Sequence, residues 1–209
     1  MREEIIFTED DKIAVIAPHP DDECIGASAA LLLAPDRTDI FVLSDGSHGS
    51  KERTIEEEAI LRKRQFENEM EFVKPHSWHW FGAEDTKLNE HKELGMQIDF
   101  TPYTKIFLPW LNSLHPDHVA AADMCIDAIR RQKAKGECWS YEIFAPFYEP
   151  GYYIDITAIE EAKRKLIRFH EDQPYHESII LSLNAFRAAQ MFFHPHYKYV
   201  ECYEKVNTE

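Results

Sequence analysis

Residues 12–33 read KIAVIAPHPDDECIGASAALLL, and this stretch decides the fold. Its first six residues, Lys12–Ala17, form a short apolar run rich in β-branched side chains and stopped by Pro18. That is the pattern of a central strand covered on both faces. Glu23–Leu33 is rich in Ala, Leu and Ile and stops before Pro35, the pattern of a helix. Between them stands His19-Pro20-Asp21-Asp22-Glu23, at the carboxyl end of the strand, where open α/β sheets form their ligand crevice.

Outward from this unit, strand-like and helix-like segments continue to alternate. Asp39–Leu43 reads as a second strand, followed by the polar turn Ser44–Ser50 with Gly46 and Gly49. Thr54–Val73 reads as a long charged helix whose apolar positions Ile60, Leu61, Phe66, Met70 and Val73 recur near helical spacing. Trp78–Phe81 and Lys105–Leu111 read as further strands, the latter despite Pro109. A helix is expected over Val119–Arg131, then strands over Tyr141–Phe147 and Tyr152–Ile156. Thr157 with Glu160 forms a capping-box signature opening a helix to His170; a helix over Ile179–Phe193 and a closing strand over Tyr197–Tyr203 follow. Ala83–Pro102 reads as a long loop over the top of the sheet. The order predicts α/β architecture: a single Rossmann-like three-layer domain over residues 1–209, with a largely parallel sheet and helices on both faces.

Composition narrows the function. Lys and Arg total 23 against 38 Asp and Glu, a net charge of −15, which repels phosphate backbones and argues against a nucleic-acid partner. No apolar run is long enough for a membrane span, and Met1–Lys12 is acidic without a signal-peptide core, so a cytoplasmic chain with no membrane insertion is expected. Cys24, Cys125, Cys138 and Cys202 are widely spaced and read as reduced thiols, Cys24 as a small buried side chain. Neither GxGxxG nor GxxxxGK[ST] occurs, and Gly46-Ser47-His48-Gly49 lacks the spacing of a nucleophile elbow.

Two related segments carry the chemistry. His115-Pro116-Asp117-His118 follows the fourth strand as His19-Pro20-Asp21-Asp22 follows the first, each with a Pro placed to start a helix. His19 and Asp22 lie three apart, as do His115 and His118, so one turn aims each pair into one crevice. His19, Asp22 and His118 offer two imidazoles and a carboxylate to a metal and leave coordination positions open for water and substrate. Asp21 remains beside them as a general base, and His115 as an acid or oxyanion stabiliser that Asp117 could orient through its second nitrogen. His194-Pro195-His196, without an acidic neighbour, reads as a structural turn, and Glu56-Glu57-Glu58 as a solvated helix start favoured by the helix dipole.

With these residues in view, the chain resembles the PIG-L/LmbE family of metal-dependent N-acetylglucosaminyl deacetylases. Pro18-His19-Pro20-Asp21-Asp22-Glu23 is similar to that family's [AP]HPDDE, and His115-Pro116-Asp117-His118 to its HPDH. Weaker similarity runs through Leu43-Ser44-Asp45-Gly46, Arg62, Asp85, Asp155-Ile156-Thr157 and Glu201. The resemblance implies zinc, or iron(II) in its place, on His19, Asp22 and His118, with Asp21 as base and His115, held by Asp117, stabilising the oxyanion. It also implies substrate contacts from Arg62, Gly46 and Asp85. Gln65 departs from the family's Arg-x-x-Glu helix motif, and Lys74-Pro75 from its helix end, which bears on substrate identity.

The expected activity is hydrolysis of an N-acetyl or other small N-acyl group from a GlcNAc-like small-molecule amino sugar or its conjugate. Trp80 and Trp110 are candidates to stack on the ring, and a homo-oligomer is compatible with the sequence. Two rivals share the motifs: a mononuclear non-haem iron enzyme, which leaves Asp21 without a task, and a non-catalytic metal-bearing sugar-binding protein, which has no use for Asp21 and His115.

Overall fold

The computed structural model of the chain describes residues 2–143, 145–170, 172–173 and 175–208. In chain order its elements are β1 (Glu3–Glu4), β2 (Ile13–Ala17), α1 (Asp22–Gly26), α2 (Ser28–Leu33), β3 (Thr38–Ser44), α3 (Ile55–Val73), β4 (Ser77–Ala83), α4 (Leu94–Gln97), β5 (Lys105–Pro109), α5 (Pro116–Gln132), β6 (Glu137–Tyr141), β7 (Tyr152–Asp155), α6 (Glu160–Phe169), α7 (Tyr175–Ala189) and β8 (Val200–Lys205). The strands form one sheet in the order β1-β7-β8-β6-β5-β2-β3-β4, parallel except for β8, which runs antiparallel to β6 and β7.

Strand β2 is buried throughout, and its side chains divide between two cores. Ile13, Val15 and Ala17 pack with α1, α2, α3 and α6, whereas Ala14 and Ile16 pack with α4 and α5. From β2 the chain moves toward β3 and β4 with α1–α3 on one face. On β2's other side lie β5 and β6, joined by α5 on the opposite face. Right-handed crossovers leaving in opposite directions require that division. The carboxyl ends of β2 and β5, which are paired neighbours, therefore flank a topological switch point, the place where such sheets bind ligands.

Several boundaries depart from the sequence reading for identifiable reasons. The helix expected over Glu23–Leu33 breaks at Ala27 (φ −136°) into α1 and α2. There Gly26 lies under the Tyr141 ring, so close that a Cβ would sit 2.1 Å from it, and the Tyr141 hydroxyl is tied to the Ile16 carbonyl at 2.6 Å. The strand expected over Tyr141–Phe147 is instead β6, ending at Tyr141. Beyond it Glu142 is drawn into a buried pair with Arg187 and accepts the Phe147 N–H at 2.6 Å; Phe144 lies outside the described residues. The capping box expected at Thr157 is absent: Thr157 begins a 3-10 turn, and its Oγ1 accepts from the Lys198 N–H at 2.8 Å. A capping box does open α3, where Thr54 and Glu57 exchange hydrogen bonds, while the adjacent Glu58 is buried rather than solvated. Within Ala83–Pro102 the chain is not a bare loop, since Leu88, Leu94, Ile98 and Phe100 are buried against α5.

A buried ion pair ties α6 to the closing strand. Lys163 Nζ donates to Glu201 Oε1 at 2.6 Å and to the Ile25 carbonyl at 2.9 Å, and Glu201 also accepts from Ser28 Oγ, the Ala29 N–H and the Tyr203 hydroxyl. Removing one partner of such a pair strands a buried charge. Lys163→Met is therefore expected to cost about 3 kcal/mol in unfolding free energy by denaturant titration; a cost under about 0.5 kcal/mol would show that the pair contributes nothing net.

Candidate metal centre and active site

The crevice at the switch point is built from the loops after β2, β3, β4 and β5 and the turn after α6. After β2, Pro18-His19-Pro20 turns into α1 through Asp21, whose φ of 134° is a left-handed conformation that a non-glycine residue adopts only under constraint. The turn directs Asp22 toward His19: Asp22 Oδ2 accepts the His19 N–H at 2.9 Å and lies 3.2 Å from His19 Nδ1. On α5, Pro116 occupies the first helical position, and His118, one turn in, brings Nε2 to 3.3 Å from the same Asp22 oxygen. One carboxylate oxygen thus faces two imidazole nitrogens. Tetrahedral zinc with bonds near 2.0–2.1 Å places its ligand atoms about 3.3–3.4 Å apart, so the spacing and donor types fit a small divalent cation of that kind.

The opposite edge of His19 faces other carboxylates. His19 Nε2 lies 3.0 Å from Asp85 Oδ1 and 3.4 Å from Asp117 Oδ2. Asp117 accepts the N–H groups of Thr86 at 2.7 Å and Leu88 at 3.2 Å, and Asp85 Oδ2 accepts the N–H of His48 at 3.0 Å. The sequence expectation that Asp117 orients His115 is therefore corrected: its carboxylate supports His19, and only its backbone N–H meets His115, at Nδ1 over 3.3 Å. Asp85, expected at the substrate, has Oδ2 on the His48 N–H, while Oδ1 lies within ion-pair distance of His19 without a hydrogen-bond partner, and it also lines the cavity. The contact is ionic and not hydrogen-bonded, since His19 Nε2 and Asp85 Oδ1 have no hydrogen-bond partner, and it places two carboxylates behind the imidazole. Two overlapping groups have all their ligand atoms in mutual reach, His19 with His115 and His118, and His19 with Asp85 and Asp117.

The electrostatics describe a pocket built around positive charge. Burial opposes protonation of His19, yet the carboxylates of Asp117, Asp22 and Asp85 raise its pKa well above the ordinary imidazole value. Burial pushes Asp22 up, and the imidazoles of His118 and His19 more than reverse it, holding the carboxyl well below its usual range. Asp85, although raised by burial, is held down to about 2 by His19 and the His48 and Thr86 N–H groups. His115 is lowered by burial and by its neighbours His19 and His118. Because its Nδ1 accepts the Asp117 N–H, the fitting tautomer carries its proton on Nε2.

Asp21 stands apart from the three candidate ligands. Its Oδ2 is 2.8 Å from Arg62 Nη2, and Arg62, buried, also donates to the Pro20 carbonyl. Arg62, expected to contact substrate, lines the cavity, with Nη2 on Asp21 and with Nε and Nη1 buried without a hydrogen-bond partner. Gly46, with φ +65°, lets the loop after β3 pass close beneath this pair; a Cβ there would lie 3.0 Å from Pro20 Cδ and 3.2 Å from Arg62 Nε. Behind Asp21, a buried cluster of Glu23, Glu69, Cys24 and His170 neutralises itself. His170 Nε2 pairs with Glu69 at 2.8 Å, and burial together with the Asp21 charge pushes Glu23 up to about 8, so it holds a proton at neutral pH.

The cavity over these groups has a volume of about 180 Å³, below the roughly 300–1,000 Å³ of common ligand pockets. His19, Asp21, Asp22, His115 and His118 share it with His48, Thr86 and Gln173, which the sequence did not single out because each owes its place to a loop closed by distant contacts. Trp80 and Trp110 are not among its lining: Trp80 packs on Phe66, and Trp110 on Phe147. His194 and His196 stack around Tyr197, away from it.

Fold and site together define a Rossmann-like α/β protein with a candidate metal centre at its switch point, two histidines and an aspartate beside a second aspartate paired with Arg62. Residues 14–129 match the PIG-L family model, described as GlcNAc-PI de-N-acetylase, and the chain belongs to that family. It is similar to diacetylchitobiose deacetylase of Thermococcus kodakarensis, 29% identical over 192 residues that cover 80% of this chain and 72% of that protein. Among solved structures, N,N'-diacetylchitobiose deacetylase from Pyrococcus horikoshii, in complex with an inhibitor, aligns with TM-score 0.79 at 21% identity, covering 95% of this chain and 84% of that one. The 4-carboxy-2-hydroxymuconate hydratase GalB from Pseudomonas putida aligns with TM-score 0.75 at 17% identity, covering 94% and 96%, so the shared fold hosts more than one chemistry. Among the described residues, no helix is long and apolar enough to cross a membrane.

Proposed function

We propose that the protein is a metal-dependent amidohydrolase that removes an N-acetyl group from a GlcNAc-like amino sugar or its conjugate. The observation that carries the reading is the single Asp22 oxygen facing one nitrogen of His19 and one of His118, with the Asp21 carboxylate beside them in the same cavity. Family membership and the diacetylchitobiose deacetylase relative support it. His19, Asp22 and His118 are the protein ligands, and zinc is the cation this donor set suits, iron(II) being the alternative. A bound cation supplies polarisation of the amide carbonyl and a lowered pKa for the attacking water.

The remaining work falls to the protein's own groups. Asp21, oriented by Arg62, accepts the proton of the attacking water and returns a proton to the departing amine. His115 donates from Nε2 to the oxygen that gains charge in the tetrahedral transition state, and it does so as a neutral imidazole because Nδ1 is occupied as an acceptor. Asp85 and Asp117 hold His19 in register from behind. The test is release of free amine from a panel of N-acetyl sugars and their conjugates, with protein stripped by chelator and reloaded with zinc or iron(II). Amine release restored by metal supports the reading. Metal-loaded protein that releases no amine from any member, or that consumes oxygen instead, overturns it.

A further inference from the structure

We propose that Gln173 is a specificity-determining contact for the hydroxyl groups of a neutral sugar ring, presented to the cavity by Asp172; this rests on the amino-sugar reading above. The turn after α6 is fastened from three sides. His170 pairs with Glu69 on α3, Asp172 Oδ1 accepts from Gln65 Nε2 at 2.7 Å, and Asp172 Oδ2 from Arg53 Nη2 at 2.6 Å. The Gln173 N–H closes the turn on the His170 carbonyl at 2.9 Å. The backbone at Gln173 is thereby tied down, whereas its side chain, half-buried and lining the cavity, is held among the described residues by one long 3.4 Å bond from Nε2 to the Gly49 carbonyl.

A rigid mount with a loosely engaged amide is what a ligand contact requires: the side chain can leave its weak partner at little cost and offers both a donor and an acceptor. Vicinal hydroxyls present the complementary pair. Arg62 places Nη2 on Asp21 and the Pro20 carbonyl and keeps Nε and Nη1 without a hydrogen-bond partner, so beyond the metal centre the cavity offers the substrate Gln173, Thr86, His48 and His115 beside a buried guanidinium.

The test is calorimetric titration of metal-loaded protein with glucosamine, alongside turnover of N-acetylglucosamine and N,N'-diacetylchitobiose. Gln173→Ala is expected to weaken glucosamine binding and raise KM about tenfold, with kcat within about twofold of wild type, as for loss of one or two hydrogen bonds. Asp172→Ala should raise KM similarly by releasing the turn, while Asp172→Asn, which keeps an acceptor oxygen, should stay within about threefold of wild type. Gln173→Ala binding glucosamine as tightly as an active wild type would overturn the assignment and leave the deacetylase reading intact. A wild type that neither binds glucosamine nor releases amine would overturn both. Equal losses in Asp172→Ala and Asp172→Asn would refute the positioning role of Asp172.

Discussion

The Asp21→Asn enzyme is expected to turn over roughly a thousandfold more slowly than wild type while keeping its full complement of metal. Asparagine preserves the shape of the side chain but cannot take a proton from water, and a positioned general base is worth about 10²–10⁴ in rate. Asp21 does not face the shared Asp22 oxygen; its partner is Arg62 at 2.8 Å, which leaves the coordination groups untouched by the change. The substitution also removes the charge opposite a buried guanidinium, so stability should fall too. For that reason kcat is to be measured on folded protein whose metal content has been verified. Activity within tenfold of wild type would remove Asp21 from the reaction. Loss of metal together with activity would make it a ligand and reverse the roles of Asp21 and Asp22.

Alanine at His118 should have the opposite signature, stripping the metal from purified protein and with it all turnover. His118 is buried on the first turn of α5 and is one of the three proposed ligands, so its removal is expected to raise the dissociation constant by orders of magnitude. Asp85→Asn, which removes a carboxylate charge behind His19 without touching a proposed ligand, should cost about 10–100-fold in metal affinity. Elemental analysis separates the two, and full occupancy in His118→Ala would refute the ligand assignment. Acid should weaken binding in the wild type as well. Without a cation, His19 is held protonated among Asp117, Asp22 and Asp85, so a proton competes for its place. Since this pKa lies above the ordinary imidazole value, metal affinity should already be falling as pH drops through the neutral range, with proton release on binding.

What the sequence could disclose depended on how local its causes were. Strand β2 was legible because a run buried on both faces leaves only apolar residues, and α5 because its buried stripe repeats with the helix. The paired histidine motifs were legible because each is made within four residues of chain. The break at Ala27 was not, since it answers to a Tyr141 ring more than a hundred residues away. Nor was the end of β6, where the apolar sequence continues but Glu142 is captured by Arg187. The reversed direction of β8 follows from the path of α7, which no alternation of residues encodes. At the site, the short sequence distance from Asp117 to His115 was a misleading guide. The carboxylate turns instead to His19, on the neighbouring strand end, because the Thr86 and Leu88 N–H groups fix it there. Gln173 gave no signal because its position is set by contacts reaching back to α3 and the loop before it.

Because β2 and β5 are paired neighbours and each delivers part of the proposed ligand set, ion capture and assembly of the sheet's centre form one linked equilibrium. In the unfolded chain Asp22 and His118 are nearly a hundred residues apart, and bringing them together costs loop-closure entropy that only the folded sheet has already met. An ion that binds the native chain alone adds about 1.4 kcal/mol to its stability for each tenfold excess of free ion over the dissociation constant. The thermal midpoint should therefore track metal availability, and chelation should raise amide exchange even along the buried β2 and β5, whose amides open only with the whole fold. The ion would then act as a clasp across the two halves of the chain, so that a protein starved of metal loses its reactive centre and the middle of its scaffold together.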